Sequence, residues 1–270
     1  MGRLLIGLLI GFLVAGGVTA SDQALWRQQG PKMVLIIDDL GTNLRLGQAA
    51  LALPGPITYA VLPLTPHSRR LSQEAERMGK EVILHAPMAN LQQLKLGPGA
   101  LTLAQSKQQL QATLQADLDA VPEAIGVNNH MGSLMTQRAE PMAWVMEVLR
   151  ERGLFFIDSR TTAQTRAYAS ALHAGIPALE RDVFLDNERS TAAIEAQFLR
   201  AVDLARRQGS VVVIGHPYPE TVGFLAQALP ALGEYGITLM SASAYLAEQR
   251  DTLQRQWARA RAEAGVTPGQ

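Results

Sequence analysis

The chain has 270 residues, with 24 basic side chains balanced by 24 acidic ones and no cysteine. Balanced charge without a basic cluster argues against nucleic acid or an anionic membrane surface as the partner. Without thiols there is no disulfide framework, thiolate metal site or thiol nucleophile, so any metal must be held by Asp, Glu and His.

In chain order, Arg3 precedes the apolar run Leu4–Val14, and small residues lead to Val18-Thr19-Ala20. This is the pattern of a secretory signal peptide over residues 1–20, with cleavage expected after Ala20. The run is shorter than the about 20 apolar residues of a membrane span, and an uncleaved anchor is the alternative. Either reading makes the remainder periplasmic or secreted, with no membrane association beyond this segment. Residues 21–31 read as a linker, 32–263 as one domain, and 264–270 as a disordered tail.

Within the domain, strands are predicted over 33–38, 57–62, 81–86, 124–128, 154–158, 182–185, 210–215 and 237–240. Helices are predicted over 67–78, 103–119 (with Thr102 as cap), 139–152, 190–208, 220–235 and 242–263. Alternating strand and helix defines a parallel α/β sheet with right-handed crossovers. Seven or eight such units suit a closed (β/α) barrel, and an open doubly wound sheet is the alternative.

In both architectures the working residues sit at the C-terminal strand ends. Polar residues recur there: Asp38-Asp39 after Val34–Ile37, His85 after Val82–Leu84, and Asn128-Asn129-His130 after Ile125–Val127. Asp158-Ser159-Arg160, Asp186-Asn187 and His216 close three further strands. Any one of them can be a helix cap, as Asp38 or Asp39 would be for the next helix. Together they would converge on one mouth, which is the argument for an active site.

Asp39, His85 and His130 offer a carboxylate and two imidazoles, a catalytic zinc-type set that leaves positions open. Such an ion polarises a carbonyl and activates water. Asp38 beside it is placed as general base and His216 opposite as general acid, for hydrolysis of an amide or ester. His67 reads as a surface or cap residue and His173 as structural.

The run Ile36-Ile37-Asp38-Asp39-Leu40-Gly41 resembles the first motif of NodB-type polysaccharide deacetylases, in their divergent branch. Gly79–Met88, Gly126–Ser133, Phe156–Thr161 and Ile214–Pro217 are similar to further motifs of that family, in order, from about Lys32 to Ser243. The resemblance implies a distorted (β/α) barrel of about seven parallel strands and a divalent metal of zinc type bound by one Asp and two His. It also implies an acetylated glycan as substrate and deacetylation as the reaction. Carried over, Asp38 is the base, Asp39 and His85 are metal ligands, and His216 is the acid. The family's second metal histidine, four residues after the first, is here Ala89, so His130 is assigned as the third ligand. The family's base-orienting Arg-x-Pro-x-Gly motif is absent, so Arg160 is assigned that role and Asp158 joins the catalytic set.

Overall fold

The structure, a computed structural model, describes residues 30–263. The expected signal peptide, most of the linker and the tail lie outside the described residues. Among the described residues, no helix is long and apolar enough to cross a membrane.

Nine parallel strands form one sheet: β1 Lys32–Leu40, β2 Thr58–Val61, β3 Glu81–Met88, β4 Gly126–Met131, β5 Phe155–Asp158, β6 Ala178–Glu180, β7 Val183–Phe184, β8 Ser210–Gly215 and β9 Thr238–Met240. The helices are α1 Leu44–Leu51, α2 Ser68–Arg77, α3 Lys107–Ala120, α4 Ala139–Arg152, α5 Ala167–His173, α6 Thr191–Gln208, α7 Pro219–Ala228 and α8 Ala242–Glu263. The sheet path runs β6-β5-β4-β3-β2-β1-β8-β7, with β9 on β1. It curls into a half-barrel with helices outside, as expected of a distorted (β/α) barrel.

The two ends of that path are consecutive in sequence. Between β6 and β7, Arg181 N–H donates to Asp158 O (2.9 Å) and Asp182 N–H donates to Val212 O (2.9 Å). Residues 178–185 are thus one extended run that leaves β5 and joins β8. Counted this way, and with β9 set apart from the path, seven staves surround the interior. β9 pairs with Lys32–Val34 of β1, and β2 pairs with the part beyond Ile36.

Strand alternation sorts the core into two layers. Met33, Leu35, Ile37, Leu84, Val127, Phe156, Val211 and Val213 face outward into the packing with the helices. Val34, Ile36, Ala60, Ile83, Ile157, Leu179, Val212 and Ile214 fill the interior, where Ala242 and Tyr245 at the start of α8 pack against them. Apolar residues on both faces explain the near-continuous hydrophobic strand sequences.

Several boundaries differ from the sequence reading. The helix expected from 103 starts at Lys107, because Ser106 and Gln109 form a capping box. Leu103, expected on its apolar side, is exposed, whereas Leu110, Leu114 and Leu118 are buried. The helix expected over 220–235 ends at Ala228 and gives way to a 3₁₀ turn at Leu232–Tyr235. Pro230 lies between them and has no N–H to continue the ladder. Helices α1 and α5 were not predicted. α1 is capped by Asn43, whose Oδ1 accepts from Leu46 N (3.1 Å), so neither Asp38 nor Asp39 is that helix's cap.

Candidate metal centre

The interior parity of each strand, continued past the apolar layer, gives the floor of the mouth. Val34 and Ile36 are followed by Asp38, Ile83 by His85, and Ile214 by His216. On β4, Asn128 and His130 take the corresponding places.

Asp39 should by alternation face outward. Instead β1 carries a β-bulge: Ile37 pairs with Tyr59 and Leu40 with Val61, three residues against two. Ile37 and Leu40 both pack in the outer layer, leaving two residues between them where a regular strand has one. Asp39 takes up the irregularity with φ at 62°, the left-handed region. Both carboxylates can then serve one mouth.

Three ligand-type atoms meet there. Asp39 Oδ1 lies 3.2 Å from His85 Nε2 and 2.9 Å from His130 Nδ1, and the two imidazole nitrogens are 3.1 Å apart. Yet Asp39 Oδ1 is buried without a hydrogen-bond partner. A triangle of this size is near the about 3.3 Å edge expected between neighbouring ligands of a tetrahedral zinc-type ion. One proton can join only two of the three atoms, whereas a cation satisfies all three. The residues therefore fit a divalent metal.

A polar relay fixes the ligands. Asn128 Nδ2 donates to Asp38 Oδ1 (2.8 Å), so its Oδ1 faces His85 Nδ1 at 2.7 Å. That acceptor keeps the His85 proton on Nδ1, so Nε2 beside Asp39 is the nitrogen that would give its lone pair to a metal. Sequence reasoning placed Asn128 among the strand-end polar residues but gave it no role. The signal was present: it is two residues before His130, on the same face of β4.

Charges follow this geometry. Burial works against ionisation of Asp39, but His130 and His85 outweigh it and hold its carboxyl well below the usual range. Burial raises the Asp38 carboxyl, with His85 and His216 opposing. Burial also works against a charged His85, but the carboxylates of Asp38 and Asp39 win and push it up to about 9. Two buried carboxylates thus demand positive charge at this spot.

His216 stands across from Asp38 and Asp39. Its Nδ1 is 2.9 Å from Asp186 Oδ1, and Asp186 Oδ2 accepts from the His216 N–H (2.6 Å) and from Thr221 Oγ1 (2.8 Å). Its Nε2 is 3.9 Å from Asp39 Oδ2. Burial lowers its pKa, but Asp186 and Asp39 raise it further, for a net rise. The ring is flanked by Phe184 (centroids 5.2 Å apart) and Tyr218 (5.4 Å).

Two of the expected catalytic residues lie elsewhere. Asp158 follows the outward residue Phe156 by two positions, so alternation turns it away from the mouth. Its oxygens accept from Arg160 N (2.8 Å), Thr165 Oγ1 (2.8 Å) and Tyr168 N (3.2 Å). Arg160 has no contact with Asp38; its Nε lies 3.6 Å from Glu180 Oε2. The donor to Asp38 is Asn128. His67 is the cap residue of α2 and makes no side-chain cap bond. His173 ends α5, exposed.

One Asp and two His thus converge at the C-terminal mouth of a parallel half-barrel, a candidate metal centre. The chain belongs to the divergent polysaccharide deacetylase family, whose sequence profile matches residues 35–246. It is similar to the uncharacterized protein YibQ of Escherichia coli K12, at 41% identity over 222 residues, covering 82% of this chain and 69% of that one. Its fold is that of the uncharacterized protein ATU2773 from Agrobacterium tumefaciens C58, with a TM-score of 0.77 at 24% identity, over 80% of this chain and 89% of that one. It is also that of BA3943, described as a CE4 family pseudoenzyme from Bacillus anthracis, with a TM-score of 0.52 at 12% identity, over 80% and 66% of the two chains.

Proposed function

We propose that this protein is a metal-dependent hydrolase that removes acetyl groups from an acetylated cell-envelope polysaccharide. The observation that carries the reading is the orphaned Asp39 Oδ1 facing two imidazole nitrogens, with the second carboxylate, Asp38, alongside. Membership of a deacetylase family supports the reaction class, and the signal-like residues 1–20 support an envelope location.

Asp39, His85 and His130 would hold a divalent ion, with zinc favoured by the nitrogen-rich donor set; bound there, it supplies a Lewis acid for the acetyl carbonyl and for water. Asp38, fixed by the Asn128 amide, takes the proton of the attacking water. His216, oriented through Nδ1 by Asp186, gives a proton at Nε2 to the departing amine or alcohol. Asp39 and His130 are partly exposed, so the site opens toward solvent.

The test is metal content and acetate release. Protein purified without chelator is expected to carry about one zinc-type ion per chain, lost in Asp39→Ala and His85→Ala. It is expected to release acetate from acetylated glycans, with Asp38→Asn keeping metal and losing turnover. Metal binding without acetate release from any acetylated envelope glycan would favour a non-catalytic glycan-binding descendant. Absence of metal after reconstitution would overturn the metal-centre reading.

A further inference from the structure

Next to the metal centre is a second cleft of about 520 Å³, lined by Arg160, Arg181 and Arg200 together with Asp182, Phe184 and Asn187. Three guanidinium groups around one opening are unfavourable unless something anionic enters. Asp182 and Glu180 offset part of that charge, leaving three guanidinium groups against two carboxylates. Asp182 Oδ2 accepts from Val212 N (2.8 Å), and Glu180 stands only at 3.6 Å from Arg160 Nε.

Of the three, Arg181 is held in place, while Arg160 is partly exposed and Arg200 exposed at the rim. Arg181 donates from Nε to Ser159 O (2.7 Å) and from Nη2 to Arg160 O (2.7 Å), and its guanidinium lies 5.0 Å from the Phe184 ring centroid. Burial lowers its pKa and Arg160 beside it lowers it further, with Asp158, Asp38 and Asp182 opposing. Arg160 has φ at 47°, a costly backbone for a side chain with a Cβ. Asp158 Oδ1 on its N–H and Arg181 on its carbonyl hold it there. Buried Asp158 is thereby a positioning residue for this arginine pair. Phe184 joins the cleft to the metal centre, since its ring lines one and packs 5.2 Å from His216 in the other.

We propose that this cleft is a subsite for an acidic substituent of the glycan, bound by the Arg160, Arg181 and Arg200 guanidinium groups while a neighbouring acetylated sugar occupies the metal centre. The proposal rests on the deacetylase reading and narrows its substrate class to acidic polysaccharides. Arginine forks match carboxylate and phosphoryl oxygens alike. The neutral Phe184 wall beside them suits the face of the sugar ring that carries the charge.

The experiment is equilibrium binding to the full chain by calorimetry, which needs no turnover. The probes are a hyaluronan tetrasaccharide (N-acetyl and carboxylate), its carboxyl-reduced neutral counterpart, and N-acetylglucosamine 1-phosphate. One acidic probe is expected to bind at least roughly tenfold more tightly than the neutral one, and which one identifies the anion. That preference is expected to vanish in Arg160→Gln/Arg200→Gln, two side chains at the rim, and to survive in Asp38→Asn. No preference for either acidic probe, or a preference intact in the double variant, overturns the subsite. Failure of the deacetylase reading shows separately, as acid-selective binding without acetate release.

Discussion

Asn128 is the residue whose replacement best separates metal holding from proton handling. Asn128→Ala removes the acceptor 2.7 Å from His85 Nδ1 and the amide donor shared by Asp38 Oδ1 (2.8 Å) and Ser159 Oγ (3.3 Å). Loss of the group that orients a metal-binding imidazole lowers affinity by roughly 10–100-fold, or about 1.4–2.7 kcal/mol. Asn128→Asp keeps an acceptor on His85 but sets a second carboxylate against Asp38. Zinc affinity, measured by competition with a chromogenic chelator, is expected to fall by that factor in the Ala variant and to stay within several-fold of the parent in the Asp variant. Acetate release is expected to fall sharply in both. An Ala variant that binds zinc as tightly as the parent would refute the relay from Asp38 through Asn128 to His85.

Asp117 on α3 is fully buried, both its oxygens lack partners, and burial pushes its carboxyl up to about 8. Its folded pKa lies above the unfolded value, so the stability it permits is full below about pH 4 and is lost as pH rises toward 8. The loss is at most on the order of a few kcal/mol, and Asp117→Asn is expected to gain on the parent in unfolding midpoint between pH 5 and 8; a constant difference would refute this. A Cβ at Gly99, where φ is +73°, would stand 2.1 Å from Asp117 Oδ1. Gly99→Ala is therefore expected to cost roughly 1–3 kcal/mol in urea unfolding, and an unchanged midpoint would show that the loop gives way freely. Ser106→Ala removes the α3 capping box, and about 1 kcal/mol of stability is expected to go with it.

The alternation of strands and helices was legible because strands buried on both faces read as apolar runs with polar ends. The convergence of Asp38, Asp39, His85, His130 and His216 on one mouth was legible for the same reason, as polar residues within three positions of the ends of those runs. Asp158 followed an apolar run too, but its parity with outward Phe156 puts it behind the sheet, a distinction that needs the register. Asn128 was legible as a strand-end polar residue, but not its role, because an amide there looks like any turn residue. Its role exists only across β1, β3 and β4. The strand that changes partner at Arg181-Asp182 was read only from 182 onward, since its first half pairs through residues distant in sequence. Helix α1 has eight residues with Gly47 among them, too short and too weak a pattern to stand out.

The bulge in β1 has a consequence for reading other sequences. At a φ of 62°, glycine would sit more comfortably than aspartate, by about 1 kcal/mol. A lineage released from the chemistry is free to collect that gain, and drift at this position would go toward glycine or asparagine before the surrounding apolar strands changed at all. On the metal-centre reading proposed above, an aspartate persisting there alongside histidines at the places of His85 and His130 would mark chains that keep the metal site, and its replacement would be an early sign that the site has been given up.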